Sequence, residues 1–340
     1  MDWLEILSRE ALDTYSRNYD YSTNYLGDAI FTKEKTNNLF VRIKQLVQNG
    51  NVPAIAKFSA FDTEALIGSR ETFTEKDYQK LLIKEKLPTS EKAAYLLDAN
   101  LSESDLIRHI FDDPNIELQR VLTRVELANM QVLSTGKLTI QENNINTEID
   151  YGLDDSHISS FTGWNDPTHS IVSDIETIVD AASAEGRVIR RAVTSSKIVG
   201  YMVKNEEIID ILASLNKLAT KKNVLEFLLE QFNIDVVVND AVYKIEGGDS
   251  ATHRFFPEDR IAFMDDAEFG KGLFAPTPEE VAVVGTNNQA DIRQFVYLTA
   301  WTTPDPVVTW TKGSAVYLPL PLDINSLFIA TVTESENEGE

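Results

Sequence analysis

The chain has 340 residues, of which 43% are hydrophobic, with 31 basic and 54 acidic residues and a net charge of −23. This length is typical of about two domains, and the apolar content is sufficient for buried cores. The absence of cysteine excludes disulfides, thiolate catalysis and thiolate zinc sites. The strongly negative charge argues against duplex DNA binding as the main activity, because such a surface repels phosphates.

Neither a membrane-spanning segment nor a secretory signal is predicted. The sequence holds no stretch near the roughly 18 consecutive apolar residues that a transmembrane helix needs. The N-terminal sequence MDWLEILSREALD is amphipathic and acidic, without a basic region that leads into an apolar one. We therefore expect no membrane partner, and the lack of cysteine fits a reducing cytoplasm.

The segment 52–92 differs from the rest of the chain because it has seven basic and seven acidic residues and is neutral. It is predicted to form two extended arms, VPAIAKFSAF and DYQKLLIKEKLP, joined by a polar connection. In the second arm, alternate residues share one strand face, which carries Lys80, Leu82, Lys84 and Lys86. An isolated two-stranded ribbon is marginally stable in water, so we expect this hairpin to lie on another surface.

A long amphipathic helix is predicted next. Asp113 is the expected N-cap, Pro114 the first helical residue and Gly136 the residue that ends the helix in a left-handed conformation. Its apolar face carries Leu118, Val121, Leu122, Val125, Ala128 and Val132. The helix would be about 33 Å long. Alternating apolar and polar residues then predict two half-buried strands, around 138–140 and 145–151.

Further helices are predicted from capping signals. Ser173 and Glu176 have the spacing of a capping box, and Gly186 would end that helix. Asn205 and Thr220 are expected to cap two more helices.

The other elements are predicted strands, which makes the chain a mixed α+β protein. VIRRAVTSSKIVGYMV is read as strand and turn, and IDVVVNDAVYKIEGG as two strands about the turn dipeptide Asn239-Asp240. The remaining predicted strands are DRIAFMDD, EVAVVGT, FVYLTAWTT and SLFIATVT. The acidic end TESENEGE is predicted to be disordered.

No motif predicts catalysis, a cofactor or a metal. His109, His157, His169 and His253 lack metal-ligand spacing. Asp265, Asp266 and Glu268 could bind a hard cation, but a solvated loop is the simpler interpretation. GKGLFAP and EGGDS lack phosphate-binding patterns and are read as flexible turns, and no G-x-S-x-G sequence occurs. Trp301 and Trp310 are interpreted as packing or subunit contacts.

The order of these parts resembles the tailed-phage major capsid fold, and the sequence is most similar to the lambda-type capsid protein E family. Three segments carry the resemblance: VELANMQVLSTGKLTI, where a helix joins a strand, DPTHSIVSDIETIVDAA, and SAVYLPLPLDINSLFIATV near the end. Each motif is short and permissive, so the specificity lies in their order and spacing along nearly the whole chain.

The resemblance implies a division of the chain into the parts of a capsid subunit. Residues 112–135 would be the spine helix within a segment 94–172 that also supplies the first part of the peripheral domain. The other implied parts are an N-terminal arm (1–48), an extended loop (49–93), an axial domain (173–286), the second part of the peripheral domain (287–332) and an acidic tail (333–340).

The implied function is that of a major capsid protein, which assembles into the icosahedral shell enclosing a tailed-phage genome. The implied partners are other copies of the chain in pentamers and hexamers, a portal protein, a decoration protein in some phages, and packaged DNA touched non-specifically at the inner surface. Some relatives carry a scaffolding segment before the arm. Here the loop begins at residue 49, which leaves no room for one, so we expect a separate scaffolding protein. Assembly in the host cytoplasm and residence in the virion capsid are expected.

Two alternatives from other classes stay open at this point. One is a protein-storage nanocompartment of the same fold, and the other is an acidic cytoplasmic enzyme of unknown type. Some relatives of the fold place a cross-linking lysine in the extended loop, where Lys57 lies, but no partner asparagine or acidic catalyst is visible.

The extended loop provides the candidate residues for contact between subunits. They are Phe58, Lys80, Leu82, Lys84 and Lys86. A basic, partly apolar strand on a chain of net charge −23 would find complementary charge on another copy. The alternative is that these lysines only protect an edge strand from aggregation.

Overall fold

The structure is a computed structural model, which describes residues 8–20, 25–46, 73–90, 103–142, 144–245, 251–265, 268–284 and 294–334. The chain divides into two compact units. Unit 1 contains residues 1–41, 79–129 and 270–320, and unit 2 contains residues 42–78, 130–269 and 321–340.

The helices of the described residues are α1 (Arg9–Asn18), α2 (Leu26–Ile30), α3 (Glu103–Thr135), α4 (Ile171–Ala184), α5 (Ser196–Lys204), α6 (Glu206–Ser214), α7 (Lys221–Phe232) and α8 (Pro278–Val284). The strands are β1 (Phe31–Lys35), β2 (Phe40–Leu46), β3 (Phe73–Gln79), β4 (Leu81–Ser90), β5 (Lys137–Glu142), β6 (Ile145–Asp150), β7 (Ile158–Thr162), β8 (Arg191–Thr194), β9 (Asp235–Val238), β10 (Val242–Lys244), β11 (Thr252–Arg254), β12 (Arg260–Met264), β13 (Gly270–Ala275), β14 (Tyr297–Pro304), β15 (Val307–Pro321) and β16 (Leu327–Thr333).

Unit 1 is built on a five-stranded sheet in the order β1-β13-β15-β14, with β4 also paired to β15. The β1–β13 pair is parallel, whereas β14 and β4 both run antiparallel to β15. The core is formed where α1 and α3 pack on this sheet. Its buried residues are Leu12, Leu118, Val121, Leu122, Val125, Phe274, Val296, Leu298, Ala315 and Tyr317.

The N-terminal segment is folded onto unit 1. In α1, Leu12 is buried and the Ser16 hydroxyl donates to the Val296 carbonyl. β1 then pairs with β13 along all five of its residues. The resemblance implies an N-terminal arm here, and the sequence of this segment does not reveal which distant strands complete its packing.

Unit 2 contains a second five-stranded sheet in the order β7-β16-β12-β8-β9. Its core combines apolar residues of this sheet with those of α4, α5, α6 and α7, among them Ile175, Ile198, Ile208, Phe227 and Phe263. β5 and β6 form a separate antiparallel pair, as do β10 and β11. The two strands predicted about Asn239-Asp240 therefore exist as β9 and β10, but they pair with β8 and β11 and not with each other.

The long helix α3 is longer than predicted. It begins at Glu103 and has 33 residues, so it is about 50 Å long. Pro114 lies inside it and not at its first position, and Asp113 accepts a hydrogen bond from Thr89 and does not cap the helix. A proline inside a helix removes one backbone hydrogen bond. The end of the helix is as predicted: Gly136 has φ +68° and donates to the Val132 carbonyl at 2.8 Å.

Two predicted helix starts are confirmed and one is wrong. The side chains of Asn205 and Thr220 accept hydrogen bonds from the N–H groups of Ile208 and Asn223, as predicted. The N-cap of α4, however, is Ser170 and not Ser173. The helix starts earlier because Ile171 and Val172 are buried and belong to its packed face.

Three local predictions are wrong. KIVGYMV is helical in α5, whose N-cap Ser195 accepts from Ile198 N–H. EVAVVGT begins as helix α8, because Thr277 and Glu280 form a reciprocal capping box ahead of it. GKGLFAP is strand β13 and not a flexible turn. There, a Cβ on Gly270 would lie 2.6 Å from the Leu320 carbonyl oxygen, so glycine permits close strand packing.

The predicted second arm of the extended loop is divided between two sheets. β3 pairs with β2, whereas β4 pairs with β15 in the unit 1 sheet and is at its edge among the described strands. Between them Lys80 is 1% exposed, and its ammonium group donates to Thr36 Oγ1 and to the Phe274 carbonyl, the latter at 3.0 Å. Lys80 therefore does not share the exposed face that strict alternation predicts, because the strand is interrupted at this residue. EGGDS, the first arm and most of the acidic tail lie outside the described residues.

The boundaries of the two units differ from those of the domains implied by resemblance. Residues 136–172, expected with the peripheral part, belong to unit 2 together with most of the expected axial part. Residues 270–286 belong to unit 1, and residues 321–340 belong to unit 2. The last difference arises because β16 lies inside the unit 2 sheet, paired with β12 and β7.

The helices of the described residues include none that combines the length and apolarity needed to cross a membrane.

Gly136→Ala is expected to destabilise unit 2 by about 1–2 kcal/mol or more, since an L-residue in the left-handed region is strained. The added Cβ would also lie 2.9 Å from Leu153 Cβ. Gly200→Ala, inside α5 with open space at its Cβ, should stabilise by about 0.5–1 kcal/mol. Urea unfolding followed by circular dichroism measures both changes. Equal stability of the two variants would contradict the helix end described here.

Lys80 predicts a pH dependence of stability. Burial lowers its pKa from 10.5 to about 8, against an opposing effect of Glu34. Between about pH 8 and 10.5 the unfolded chain binds more protons, so the free energy of unfolding should rise with pH. Lys80→Met should remove this contribution, which amounts to at most about 3 kcal/mol. The free energy of unfolding is measured with urea from pH 7 to 10, with the exposed-residue variant Lys84→Met as the control. If the free energy of unfolding depends on pH in the same way in wild type and Lys80→Met, Lys80 is not the group responsible.

Candidate inter-subunit surface

Strand β4 has one edge that is paired and one edge that is open among the described residues. It pairs antiparallel with β15 from Leu81 opposite Tyr317 to Ser90 opposite Val308. No other strand of the described residues pairs with β4. Its second edge therefore presents backbone N–H and C=O groups that could pair with a further extended chain.

The two faces of β4 have different environments. Side chains at odd positions point toward α3: Glu85 accepts a hydrogen bond from Arg120 at 2.8 Å, and Thr89 donates to Asp113 at 2.8 Å. Even-numbered side chains point the other way and are exposed, namely Leu82, Lys84, Lys86 and Pro88. The shared face of Leu82, Lys84 and Lys86 follows the predicted alternation.

Two tryptophans lie on the same outward face. Trp301 of β14 is directly opposite Trp310 of β15, which is in turn directly opposite Pro88 of β4. Directly opposed residues of antiparallel strands point to the same side of a sheet. The tryptophan ring centroids are 6.5 Å apart at an interplanar angle of 19°, and Trp301 is 36% exposed.

A lysine adds charge to this aromatic pair. The ammonium nitrogen of Lys86 lies 4.0 Å from the centroid of the Trp310 ring, a cation–π contact. Next to it Lys312 is bound by Glu279 of α8, which offsets the Lys312 charge. We call the set formed by exposed Leu82, Lys84, Lys86 and Trp301 and half-buried Trp310 the aromatic–lysine surface. It combines exposed apolar area with positive charge on a chain whose net charge is −23.

The predicted contact residues are thus only partly brought together. Leu82, Lys84 and Lys86 lie in the aromatic–lysine surface, Lys80 is buried in unit 1, and Phe58 and Lys57 lie outside the described residues. The pairing of the two tryptophans was missed in the sequence. The sequence does carry a signal for this pairing. Trp301 lies four residues before Asp305 and Trp310 lies four residues after Pro306, so a two-residue turn at Asp305 and Pro306 places the two tryptophans opposite each other in a hairpin.

The histidines of unit 2 have structural partners. His157 is buried, with Nε2 2.9 Å from Glu185 Oε1 and its ring stacked on Phe328 at 4.1 Å. His169 Nε2 lies 2.7 Å from Asp174, which also accepts from Trp164.

The other polar candidates form no site in the described parts of the chain. His253 lies in strand β11 with its ring 5.6 Å from that of Tyr243. Asp265 and Glu268 are described but Asp266 is not, and the side chain of His109 is also outside the description. Among the described residues, no three histidine, aspartate or glutamate side chains are placed to hold a metal ion.

Solved structures with the same fold include phage and prophage proteins. A prophage protein of Escherichia coli CFT073 that is assigned as a capsid protein matches with a TM-score of 0.64 and 15% identity over 96% of this chain and 99% of that one. A phage-related protein of Bordetella bronchiseptica RB50 matches with a TM-score of 0.55 and 13% identity, over 95% and 96% of the two chains. The mature capsid protein of bacteriophage PhiM1 matches with a TM-score of 0.54 and 7% identity, over 93% and 89%. These identities establish the fold alone, which is the tailed-phage major capsid fold.

The sequence itself matches a protein family. No curated protein matches the chain, but the profile of the family described as phage major capsid protein E matches residues 8–332. This range spans nearly the whole chain and confirms the resemblance found in the sequence. The chain belongs to the phage major capsid protein E family.

Proposed function

We propose that the aromatic–lysine surface of this major capsid protein is a contact between neighbouring copies in its shell. Membership of the family makes the chain a structural component of a phage capsid, which assembles from copies of itself. The open face and open edge of β4 beside the tryptophan pair support the location of the contact. A second copy is the partner that is always present during assembly.

Exposed apolar area and positive charge occur together on this surface. Trp301 and Leu82 are 36% and 39% exposed, and Val307, at the turn of the same hairpin, is 49% exposed. Aromatic residues are enriched in the buried centres of protein interfaces. Lys84 and Lys86 are exposed and would meet an acidic surface on another copy, because the chain carries 54 acidic against 31 basic residues.

A purely protective role for the two lysines is the alternative. Lysine and proline on an edge strand do block unwanted strand pairing. That role would not require the stacked tryptophans beside them, which add apolar area to the same exposed face. The tryptophan pair is therefore the observation that favours a contact surface.

The two compact units suggest a correspondence with the parts of a capsid subunit. Unit 1 would supply most of the N-terminal arm, part of the peripheral domain and strand β4 of the extended loop, and unit 2 would supply the axial domain and the loop residues up to 78. The resemblance of the element order supports this correspondence, with boundaries shifted from 173–286 to the unit 2 segment 130–269. Copies would associate as pentamers and hexamers.

The remaining partners follow from the capsid function and are proposals. A separate scaffolding protein, a portal protein and, in some phages, a decoration protein would act with the shell. The packaged DNA would be touched non-specifically, and the acidic composition would limit its adhesion to the wall. Assembly would take place in the host cytoplasm.

A nanocompartment shell is less well supported, because the family that matches is one of phage capsid proteins.

The purified protein, supplied with its scaffolding partner, is expected to form closed particles visible by negative-stain electron microscopy. Each contact would be weak, and many repeated contacts would hold the shell together. A protein that stays strictly monomeric under all assembly conditions would contradict self-assembly.

The double reversal Lys84→Glu and Lys86→Glu is expected to abolish or severely slow assembly, with circular dichroism and melting nearly unchanged. One exposed ion pair contributes only about 0.2–1 kcal/mol, but the loss recurs in every subunit and like-charge repulsion adds to it.

A matched control separates this effect from net charge. Lys221→Glu with Lys222→Glu makes the same charge change on exposed residues in the first turn of α7. This control is expected to assemble normally. If the Lys84 and Lys86 variant forms normal particles at physiological salt, the two lysines are merely solvated. Failure of both variants would assign the effect to net charge.

A further inference from the structure

Glu126 is a buried acidic residue in the middle of the long helix. It is 1% exposed, and its two carboxyl oxygens lie 3.0 and 3.2 Å from the backbone nitrogen of Gly27 in α2. A side chain of α3 therefore holds the N-terminal segment through a single backbone N–H group. Both residues belong to unit 1.

The contact between α2 and α3 is close. A Cβ on Gly27 would lie 2.2 Å from Glu126 Oε2 and 2.7 Å from Asn129 Nδ2, so only glycine permits this approach. One turn earlier on α3, the Thr123 hydroxyl lies 2.9 Å from the Tyr25 hydroxyl. Asn129 in turn accepts a hydrogen bond from Tyr317 of the sheet. The segment around α2 is thus attached along one stripe of α3.

No cation neutralises Glu126 within the described residues. The charged groups that act on it are Asp28 of α2 and Lys33 of β1, with opposite effects. Lys33 is bound to Asp28 at 2.8 Å, so its positive charge is largely offset. An ionised carboxylate buried in this way carries a large desolvation cost, and the neutral acid does not.

We propose that Glu126 holds α2 on the long helix as an uncharged carboxylic acid, and that its deprotonation at alkaline pH releases α2. The inference does not depend on the aromatic–lysine surface. The N-terminal segment would then have two states, one with α2 attached to α3 and one with α2 released. Protonation of Glu126 would select the attached state.

The direction of the pH effect follows from the buried position. Burial raises the pKa of Glu126 from 4.5 to about 8, although the Gly27 N–H and Lys33 oppose the change. The folded state then keeps a proton that the unfolded chain releases above its ordinary pKa. The stabilisation is fully present below about pH 4.5 and is lost as pH rises to about 8.

The release is expected to be local. α1 is held independently by buried Leu12 and by the Ser16 bond to Val296, and β1 is held by its pairing with β13. Only α2, a helix of five residues between these two elements, depends on Gly27 and Glu126. Local opening of such a segment requires less free energy than global unfolding.

Hydrogen exchange of the α2 amides tests the proposal. Protection factors, corrected for the intrinsic pH dependence of exchange, should be constant below about pH 4.5, fall by up to about tenfold for each pH unit between about pH 4.5 and 8, and level off above about pH 8. Glu126→Gln keeps an oxygen acceptor for Gly27 without a titrating group, and its α2 protection should not change with pH. Glu176→Gln, at an exposed position of α4, should behave as the wild type does.

Infrared spectroscopy of the wild-type protein gives a second readout, which remains decisive if the Gln variant fails to fold. A protonated carboxylic acid band should be present at pH 7 and disappear with a midpoint near pH 8. Absence of this band at pH 7, or α2 protection with the same pH profile in wild type and Glu126→Gln, would overturn the proposal.

Discussion

The packing of one face of the unit 1 sheet against the long helix is the interaction on which the rest of this account depends. Val121 and Val125 of α3 and Leu298 and Ala315 of the sheet are almost completely buried in that contact. Because side chains alternate along strands, covering one face fixes which residues point away from it. Trp310 points away, together with the lysines of β4. The same helix carries Glu126 and so also determines where the N-terminal segment is attached.

These features fit the demands on a protein that builds a shell. A subunit of this kind needs a stable core, which the helix–sheet contact supplies, and surfaces that bind other copies without adhering to everything else. In the proposed contact, exposed Trp301 and half-buried Trp310 beside lysines on an otherwise acidic chain would satisfy both needs, since the charge discourages non-specific association while the apolar rings favour one matched partner. Two lysines and a proline lie along β4, and such residues limit random strand pairing.

Local signals were readable from the sequence, whereas long-range partners were not. Gly136, Asn205 and Thr220 act through neighbouring backbone groups, and all three ended or started helices as predicted. The strand assigned to EVAVVGT was wrong because an apolar run resembles a strand, although the sequence TPEE just before it is a capping box. Lys80 could not be placed correctly, since its burial depends on Thr36 and Phe274, which are distant in sequence. The family itself was recognisable from the order of elements, which does not require exact boundaries.

Hydrogen exchange in β4, compared between free subunits and assembled particles, tests the central claim most directly. In an antiparallel edge strand, alternate amides bond to the neighbouring strand and the others face the open edge. If the aromatic–lysine surface is a contact between copies, peptides covering Leu82–Pro88 and the Trp301–Trp310 hairpin should become strongly protected in particles. Residues of α7 near Lys221 provide the internal reference. Unchanged exchange in β4 and in the hairpin, in particles that are otherwise intact, would contradict the account.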